Sequence, residues 1–386
     1  MIKKFVMLLG GMFFTVAVYA AASQLRPGHP DTYTVRKGDT LWAISSRFLS
    51  KPWLWPEIWQ ANPQVRNPHL IYPGDVLNLS LDGTGATHIG LEPRVREEGE
   101  PITAIPLGEV RTFLKEMRVM NSDEVEQSPY VVGFEESRLR GTPGAKIYAR
   151  DLDSAQPGQR WAIVRPTQRF RQHAGDGHTP DELTRPGQGS FVADELDSDV
   201  SMTASPWHED SRHDTHYWGK GSDRGTEVTV IGTAEVLVHN DDVTTLVGVD
   251  STLEIRKGDR LMPVDDKPYD PYFYPHAPKS MPADPRVIAF TDARNTVGAH
   301  QVVAISAGSA QGVDNGTTFT VMAQGDRISD DVSGNSDIRG SQRTVQLPDE
   351  FAGHLMVFRT FENVSYALLM DATRPVHRGD RLVLPE

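Results

Sequence analysis

Cysteine is absent from the 386 residues, and this absence excludes several kinds of site. The chain forms no disulfide, holds no thiolate-bound zinc and carries no cysteine nucleophile. It also offers no cysteine for a lipid anchor. Positive charge is scarce too, with 39 Lys and Arg against 52 Asp and Glu and a net charge of −13. We therefore predict no nucleic acid partner, because a phosphate-binding surface needs an excess of basic residues.

Recognisable catalytic motifs are also missing. No serine stands three residues before a lysine, and no Gly-x-Ser-x-Gly pattern occurs. The segment His208–His213 has one residue too many for the His-Glu-x-x-His pattern of zinc proteases. Its neighbours Asp214 and His216 add possible ligands, but a zinc site needs fixed geometry that this polar stretch does not suggest. We predict no catalytic residue, metal or cofactor, and hence no enzyme.

Long apolar runs are lacking except at the start of the chain. Lys3 and Lys4 precede an apolar and small-residue segment over residues 5–22. A basic start, an apolar middle and a small-residue end predict a secretory signal peptide at 1–22, cleaved after Val18–Ala20 or Ala20–Ala22. The alternative is an uncleaved anchor, since a spanning helix takes about 20 apolar residues. With cleavage, we expect a periplasmic protein that has no stable membrane span.

Residues 31–80 form a self-contained β-α-α-β pattern. Asp31–Val35 alternates as a strand does, and Gly38-Asp39 is typical of a turn. Thr40 is suited to cap a helix. Leu41, Ile44 and Phe48 would lie on one face of that helix. A second helix is predicted over residues 56–61, followed by a turn at 73–74 and a strand at 76–79.

The two ends of this pattern, Tyr33–Trp42 and Ile71–Leu77, together with Asn62-Pro63, resemble a LysM domain. The resemblance implies binding of glycan that contains N-acetylglucosamine, most naturally the strands of peptidoglycan. Small turn residues would let the backbone approach a sugar. The alternative is that the glycines only form turns and that Leu41 only packs in the core. The predicted glycan-binding residues are Gly38, Asp39, Thr40, Leu41, Asn62, Pro63, Leu70, Ile71 and Tyr72.

Four tryptophans fall in this small segment. Trp42 and Trp59 are predicted to complete its core, as large aromatic side chains do in small domains. For Trp53 and Trp55 two interpretations stay open, stacking on a sugar ring or packing in the core.

From about residue 100 onward the sequence predicts strands, with an internal repeat. Hairpins are expected at 228–249 and at 355–370, separated by an offset of 121 residues that places Gly232 on Gly353. The same offset superimposes two copies of Gly-Asp-Arg-Leu, at 258–261 and 379–382. A fainter similarity relates Gly158–Trp161 to Gly316–Phe319. The fold class is therefore α+β, a small β-α-α-β LysM module followed by mostly β C-terminal modules.

The chain is divided accordingly. The segment at 171–225 is rich in His and Asp and has little periodicity, which predicts a disordered insertion. Prolines at 267–285 predict a stiff linker, although its aromatic residues could also form a docking patch. The predicted order is a signal peptide at 1–22, the LysM module at 31–80, a β-rich module at 100–170, the insertion at 171–225, a β-rich repeat unit at 226–266, the linker at 267–285 and a C-terminal β-rich module at 286–386.

A more specific resemblance covers residues 52–75, Met356–Phe361 and Val364–Leu368. These segments resemble TsaP, the family of type IV pilus secretin-associated proteins, whose C-terminal part is similar to flagellar assembly protein T. The resemblance implies a non-catalytic, periplasmic, peptidoglycan-binding protein that anchors an outer-membrane secretin to the cell wall. The alternative function is a murein hydrolase, or an activator of one, that the LysM module targets. A flagellar role is a third possibility.

Overall fold

The structure is a computed structural model that describes most of the chain. The described residues are 25–56, 71–81, 87–92, 102, 105, 110, 117–153, 155–173, 190–195, 222–240, 242–264, 273–290, 296–325, 327–329 and 344–385. The predicted signal peptide at 1–22, the second helix at 56–61 beyond its first residue, and Trp59, Asn62, Pro63 and Leu70 lie outside these residues.

Strands dominate the described chain. The helices are α1 (Leu41–Phe48) and α2 (Ser122–Gln127), with short 3-10 turns at Pro52–Leu54, Glu135–Ser137 and Ser309–Gln311. The strands are β1 (Thr32–Thr34), β2 (Val76–Leu81), β3 (Thr87–Glu92), β4 (Met117–Met120), β5 (Tyr130–Phe134), β6 (Arg140–Gly141), β7 (Lys146–Arg150), β8 (Arg160–His173), β9 (Ser190–Glu195), β10 (Ser222–Asn240), β11 (Val243–Ser251), β12 (Ile255–Arg256), β13 (Arg260–Pro263), β14 (Val287–Phe290), β15 (Thr296–Val297), β16 (Val302–Ile305), β17 (Thr318–Ala323), β18 (Arg327–Ser329), β19 (Thr344–Gln346), β20 (Glu350–Thr360), β21 (Ser365–Ala372), β22 (Val376–His377) and β23 (Arg381–Val383).

The N-terminal module, residues 31–81, contains the predicted strand and helix. β1 pairs antiparallel with β2, with Tyr33 opposite Leu77. The Thr40 hydroxyl accepts the Ala43 amide at 3.2 Å and caps α1, as predicted. The apolar face of α1 is buried, because Leu41, Ile44 and Phe48 have almost no exposed surface. β3, which the sequence analysis did not predict, adds a third strand beside β2.

Six strands close into a first ring. Their order is β10-β11-β7-β5-β13-β8, and β8 pairs back onto β10. Inward-facing residues fill the ring, among them Val131, Ile163 and Leu246. Closure leaves no strand edge within the ring, which removes a site for unwanted pairing. Strands from the predicted segments at 100–170 and 226–266 therefore belong to one sheet.

A second ring lies in the C-terminal part, with the order β14-β16-β21-β20-β17-β23. It closes through a bridge between Arg286 and Arg381, beside which the Leu382 amide donates to the Pro285 carbonyl at 2.9 Å. The first ring closes in the same way, since the Leu261 amide donates to the Pro129 carbonyl at 2.8 Å.

The two predicted hairpins are formed, and their registers correspond at the offset of 121. Gly232 lies opposite Ser251 in one, and Gly353 lies opposite Ala372 in the other. In each hairpin a bulge begins one residue later. Both glycines are required by close backbone approach, because a Cβ would overlap the carbonyl oxygen of the aspartate that precedes the residue opposite, Asp250 or Asp371. Duplication as the origin of this similarity stays a prediction.

β8 and β10 continue beyond the first ring and form an arm with β4 and β9. Glu227, fully buried in this arm, accepts hydrogen bonds from the Thr167 hydroxyl at 2.7 Å and from the Tyr366 hydroxyl of the second ring at 2.5 Å. Burial raises the pKa of Tyr366 well above its ordinary value, and the Glu227 carboxylate raises it further. The phenol therefore remains a donor and ties the arm to the second ring.

The arm corrects one predicted boundary. The insertion expected at 171–225 is shorter in the structure, because residues 171–173, 190–195 and 222–225 pair as strands. The rest of that segment lies outside the described residues. In the predicted linker, residues 273–285 lie against the second ring: Phe273 is buried, and His276 exchanges backbone hydrogen bonds with Gly316 and Thr318. Within the described parts of the chain, no helix is both long and apolar enough to cross a membrane.

A buried ion pair stabilises the end of the first ring. Arg165 on β8 donates from Nε to Asp259 Oδ1 at 2.8 Å and from Nη2 to Oδ2 at 2.9 Å. The Arg165 Nη2 also donates to the Glu254 carbonyl. At the corresponding place in the second ring, the Asp380 carboxylate accepts the backbone amides of His377 at 2.7 Å and Gln324 at 3.0 Å. Beside it lies the half-exposed imidazole of His377, whose Nδ1 is 3.9 Å from Asp380 Oδ2.

Removing these two carboxylates should therefore have unequal effects. We expect Asp259→Ala to lower the free energy of unfolding by about 3–5 kcal/mol, because it leaves Arg165 buried without its partner. Asp380→Ala should lower it by about 1–3 kcal/mol, the cost of unpaired amides. Urea denaturation of the two variants measures both values, and equal losses would contradict this account of the ion pair.

Candidate functional site

Two turns lie side by side at one end of the N-terminal module. The first, Arg36–Asp39, joins β1 to α1, and the second, Tyr72–Asp75, leads into β2. They are joined by backbone hydrogen bonds of 2.8 Å from Val35 to the Asp75 carbonyl and from Gly74 to the Val35 carbonyl. The two ends of the LysM-like pattern thus lie side by side in the structure.

Each turn depends on a glycine in the left-handed region. Gly38 has φ of +91° and Gly74 has φ of +94°, conformations that L side chains rarely adopt. Both positions are open with respect to the described part of the chain, where no atom lies within 4 Å of a Cβ built on either glycine. Among the described residues, no side chain therefore covers the backbone of either glycine.

Asp39 fixes the first turn. Its carboxylate accepts the Arg36 amide at 2.8 Å and the Tyr33 hydroxyl at 2.9 Å. Desolvation raises the pKa of Tyr33, and the hydrogen bond to Asp39 raises it further, so the phenol keeps its proton and donates. Arg47 lies over the Tyr33 ring at 4.8 Å, which adds a cation–π contact.

The predicted binding residues differ in their access to solvent. Gly38 is exposed, and Asp39, Thr40 and Tyr72 are partly exposed. Leu41 and Ile71 are completely buried, and the Ile71 carbonyl accepts the Ile102 amide at 2.8 Å. Those two residues support the turns from beneath and offer no accessible surface. Asn62, Pro63 and Leu70 lie outside the described residues.

The three tryptophans of this module that the structure describes are buried. Trp42 is 3% exposed, as the prediction of a core residue requires. Trp53 is 3% and Trp55 1% exposed, which decides between the two interpretations left by the sequence. Neither ring presents a face to solvent on which a sugar could stack.

The described residues carry no arrangement suited to metal chemistry. No group of three or more His, Asp or Glu among them is close enough together to hold a metal ion. What the two turns offer is polar backbone, small residues and the partly exposed side chains of Asp39, Thr40 and Tyr72, which suits recognition of a polar ligand.

A repeated tetrapeptide in the sequence also indicates these turns. Arg-Lys-Gly-Asp occurs at 36–39 and again at 256–259, and related Gly-Asp pairs stand at 74–75 and 379–380. In all four places the glycine has φ between +90° and +94°. The aspartate carboxylate accepts the amide three residues earlier each time. Comparison of these tetrapeptides would have predicted the same turn in the LysM-like segment and in both rings.

Comparison with known proteins agrees with this geometry in one part of the chain. Residues 33–80 match the LysM domain family. Uncharacterized protein YqbP of Bacillus subtilis is 38% identical over 60 residues, 13% of this chain and 27% of that protein. Potassium binding protein Kbp of Escherichia coli O6:H1 is 46% identical over 48 residues, 12% of this chain and 32% of that protein. The chain thus matches about a third or less of either relative's length. Residues 33–80 are a LysM domain, a module that binds peptidoglycan or related carbohydrate.

Proposed function

We propose that this protein is a non-catalytic periplasmic tether. Its LysM domain binds the N-acetylglucosamine-containing strands of peptidoglycan, and its C-terminal rings hold an envelope assembly to the wall. The observation that carries the proposal is the LysM match over residues 33–80, whose two glycine turns leave open, polar backbone at one end of the domain.

In the proposed complex the sugar lies across the two turns. Gly38 and Gly74 let the glycan approach the backbone, and Asp39, Thr40 and Tyr72 contribute the accessible side chains. Leu41 and Ile71 keep the turns in place from the core. Asn62, Pro63 and Leu70 complete the proposed site on the basis of sequence.

The partner that we propose is the outer-membrane secretin of type IV pili. The support is the resemblance of residues 52–75, 356–361 and 364–368 to the secretin-associated family, together with the predicted signal peptide. Two rings of corresponding strand order, which we attribute to duplication, would give the tether a C-terminal part separate from its glycan-binding end. A single LysM domain binds more tightly when several copies act together, as copies arranged around a secretin would.

A bulky residue at the first turn should weaken glycan binding. We expect Gly38→Val in the full chain to lower the affinity for insoluble peptidoglycan by at least about fivefold, or ~1 kcal/mol, because valine blocks the approach of the sugar and is strained at positive φ. Sedimentation at several protein concentrations, with soluble N-acetylglucosamine oligomers as competitor, measures the affinity.

Gly28→Val is the matched control. Gly28 also has positive φ, +77°, and open space at its Cβ, but it lies outside residues 33–80. It should sediment as the parent does. Equal loss in both variants, or in neither, would refute the proposed site.

The protein should not cleave the wall. After renaturation in a gel that contains peptidoglycan, we expect no cleared band at its position beside a lysozyme standard, because no nucleophile or zinc motif is present in the sequence. A cleared band would favour the alternative function, a murein hydrolase.

Loss of the protein should affect pili and not flagella. We expect a deletion strain to lose twitching motility and to keep swimming. The reason is that the proposed tether holds the secretin in place against the force of pilus retraction. The Gly28→Val gene should restore twitching and the Gly38→Val gene should not. Loss of swimming alone would point to the flagellar assembly role and against the secretin.

A further inference from the structure

Three tryptophans of the LysM domain face the C-terminal part of the chain. The Trp53 ring lies 4.6 Å from the ring of His354 on β20, and Trp42 lies 6.4 Å from the same histidine. Trp55 lies 5.9 Å from the ring of Tyr274, in the segment that packs on the second ring. All three tryptophans are buried by these contacts and by the LysM core.

The surface beneath them is the outer face of the second ring, and it is apolar. Met356, Phe358, Tyr366 and Leu368 point away from the ring interior, yet none has exposed surface. They belong to one continuous hydrophobic cluster with the LysM residues Leu41, Trp42, Trp53 and Trp55 and with residues of the arm. Both faces of these strands are therefore buried, which is why β20 and β21 read as unbroken apolar runs.

The first ring shows that this fold does not by itself require an apolar outer face. At the offset of 121, the four outer positions are occupied by Glu235, Leu237, Thr245 and Val247. None of them is buried, and Leu237 is 43% exposed. All four positions are thus occupied by large, fully buried side chains only in the ring that carries the LysM domain.

The same comparison singles out His354. Its amide and Nδ1 lie 2.9 Å and 3.0 Å from Asp371 Oδ1, so the carboxylate orients the imidazole. The corresponding pair in the first ring is Thr233 and Asp250, joined by two hydrogen bonds of 2.8 Å. The aspartate is kept and the threonine is replaced by a flat ring, which is the surface that Trp53 contacts.

We propose that Pro52–Trp55 is an intramolecular docking element whose receptor is His354 with the outer face of the second ring. It fixes the LysM domain and the second ring as one body. Trp53 and Trp55 serve this contact and do not bind sugar. Where the proposed tether function holds, force on the glycan passes directly into the second ring and not through a flexible connection.

The test uses the full chain, which has no cysteine, so two introduced cysteines are labelled uniquely. Ala43→Cys on the exposed side of α1 and Lys279→Cys, whose side chain is 83% exposed, carry spin labels on the two docked parts. Pulsed electron paramagnetic resonance should give a single narrow distance distribution. Trp53→Ala should add a broad second population, and so should His354→Thr, which copies the first ring and keeps a residue known to fit this scaffold.

Thr233→Ala, at the equivalent place in the first ring, is the matched control and should leave the narrow distribution unchanged. A broad distribution in the parent, or a narrow one in both docking variants, would overturn the proposal. Trp53→Ala should also sediment with peptidoglycan as the parent does. Loss of sedimentation with the narrow distance retained would place the ring on the sugar and refute docking. If the parent fails to sediment, the glycan-binding proposal fails, while the distances still decide whether the domain is docked.

Discussion

The structure depends on one local device, a left-handed glycine followed by an aspartate whose carboxylate accepts the amide three residues earlier. These amides lie 2.8, 3.0, 2.6 and 2.7 Å from the carboxylates of Asp39, Asp75, Asp259 and Asp380. In the LysM domain the device forms both candidate binding turns. In each ring it directs the last strand beside the first, so that the ring closes. In each turn the carboxylate satisfies a backbone amide of the same turn.

The second ring is the part of the molecule on which both the LysM domain and the arm pack. Its interior has its own core, while its outer face is covered by the LysM domain on one part and by the arm on another. A polar contact occurs where the arm meets the second ring, from the Tyr366 hydroxyl to Glu227. Within the second ring, Asp371 orients the His354 imidazole that Trp53 contacts. A buried polar pair such as Tyr366 with Glu227 fixes the orientation of a contact more than it strengthens it, because desolvation offsets much of the attraction. The buried apolar side chains stabilise these contacts, and the polar pair fixes how the two surfaces are oriented.

Local features were predictable from the sequence and long-range ones were not. The Thr40 cap, the buried face of α1 and both hairpins follow from propensity and periodicity over a few residues. Ring closure did not, because it joins strands such as β5 and β13 that are distant in the chain. The burial of Trp53 could not be inferred either, since its covering surface, His354, lies some three hundred residues away. In the candidate binding turns, the sequence predicted the turn at Gly38 and Asp39 but could not distinguish accessible positions from Leu41 and Ile71, which are buried beneath them.

The adjacency of β8 and β10 has a consequence for how this chain can change. The two strands are neighbours in the sheet, with Gln172 opposite Ser222, although nearly fifty residues separate them in sequence. The segment that leaves and re-enters the sheet here supplies β9 to the arm, but it contributes no strand to either ring. Its length carries only a slowly growing entropic cost, about 0.6 kcal/mol for each doubling. The arm is therefore a place where evolution can lengthen, shorten or exchange a whole segment while both rings continue to fold.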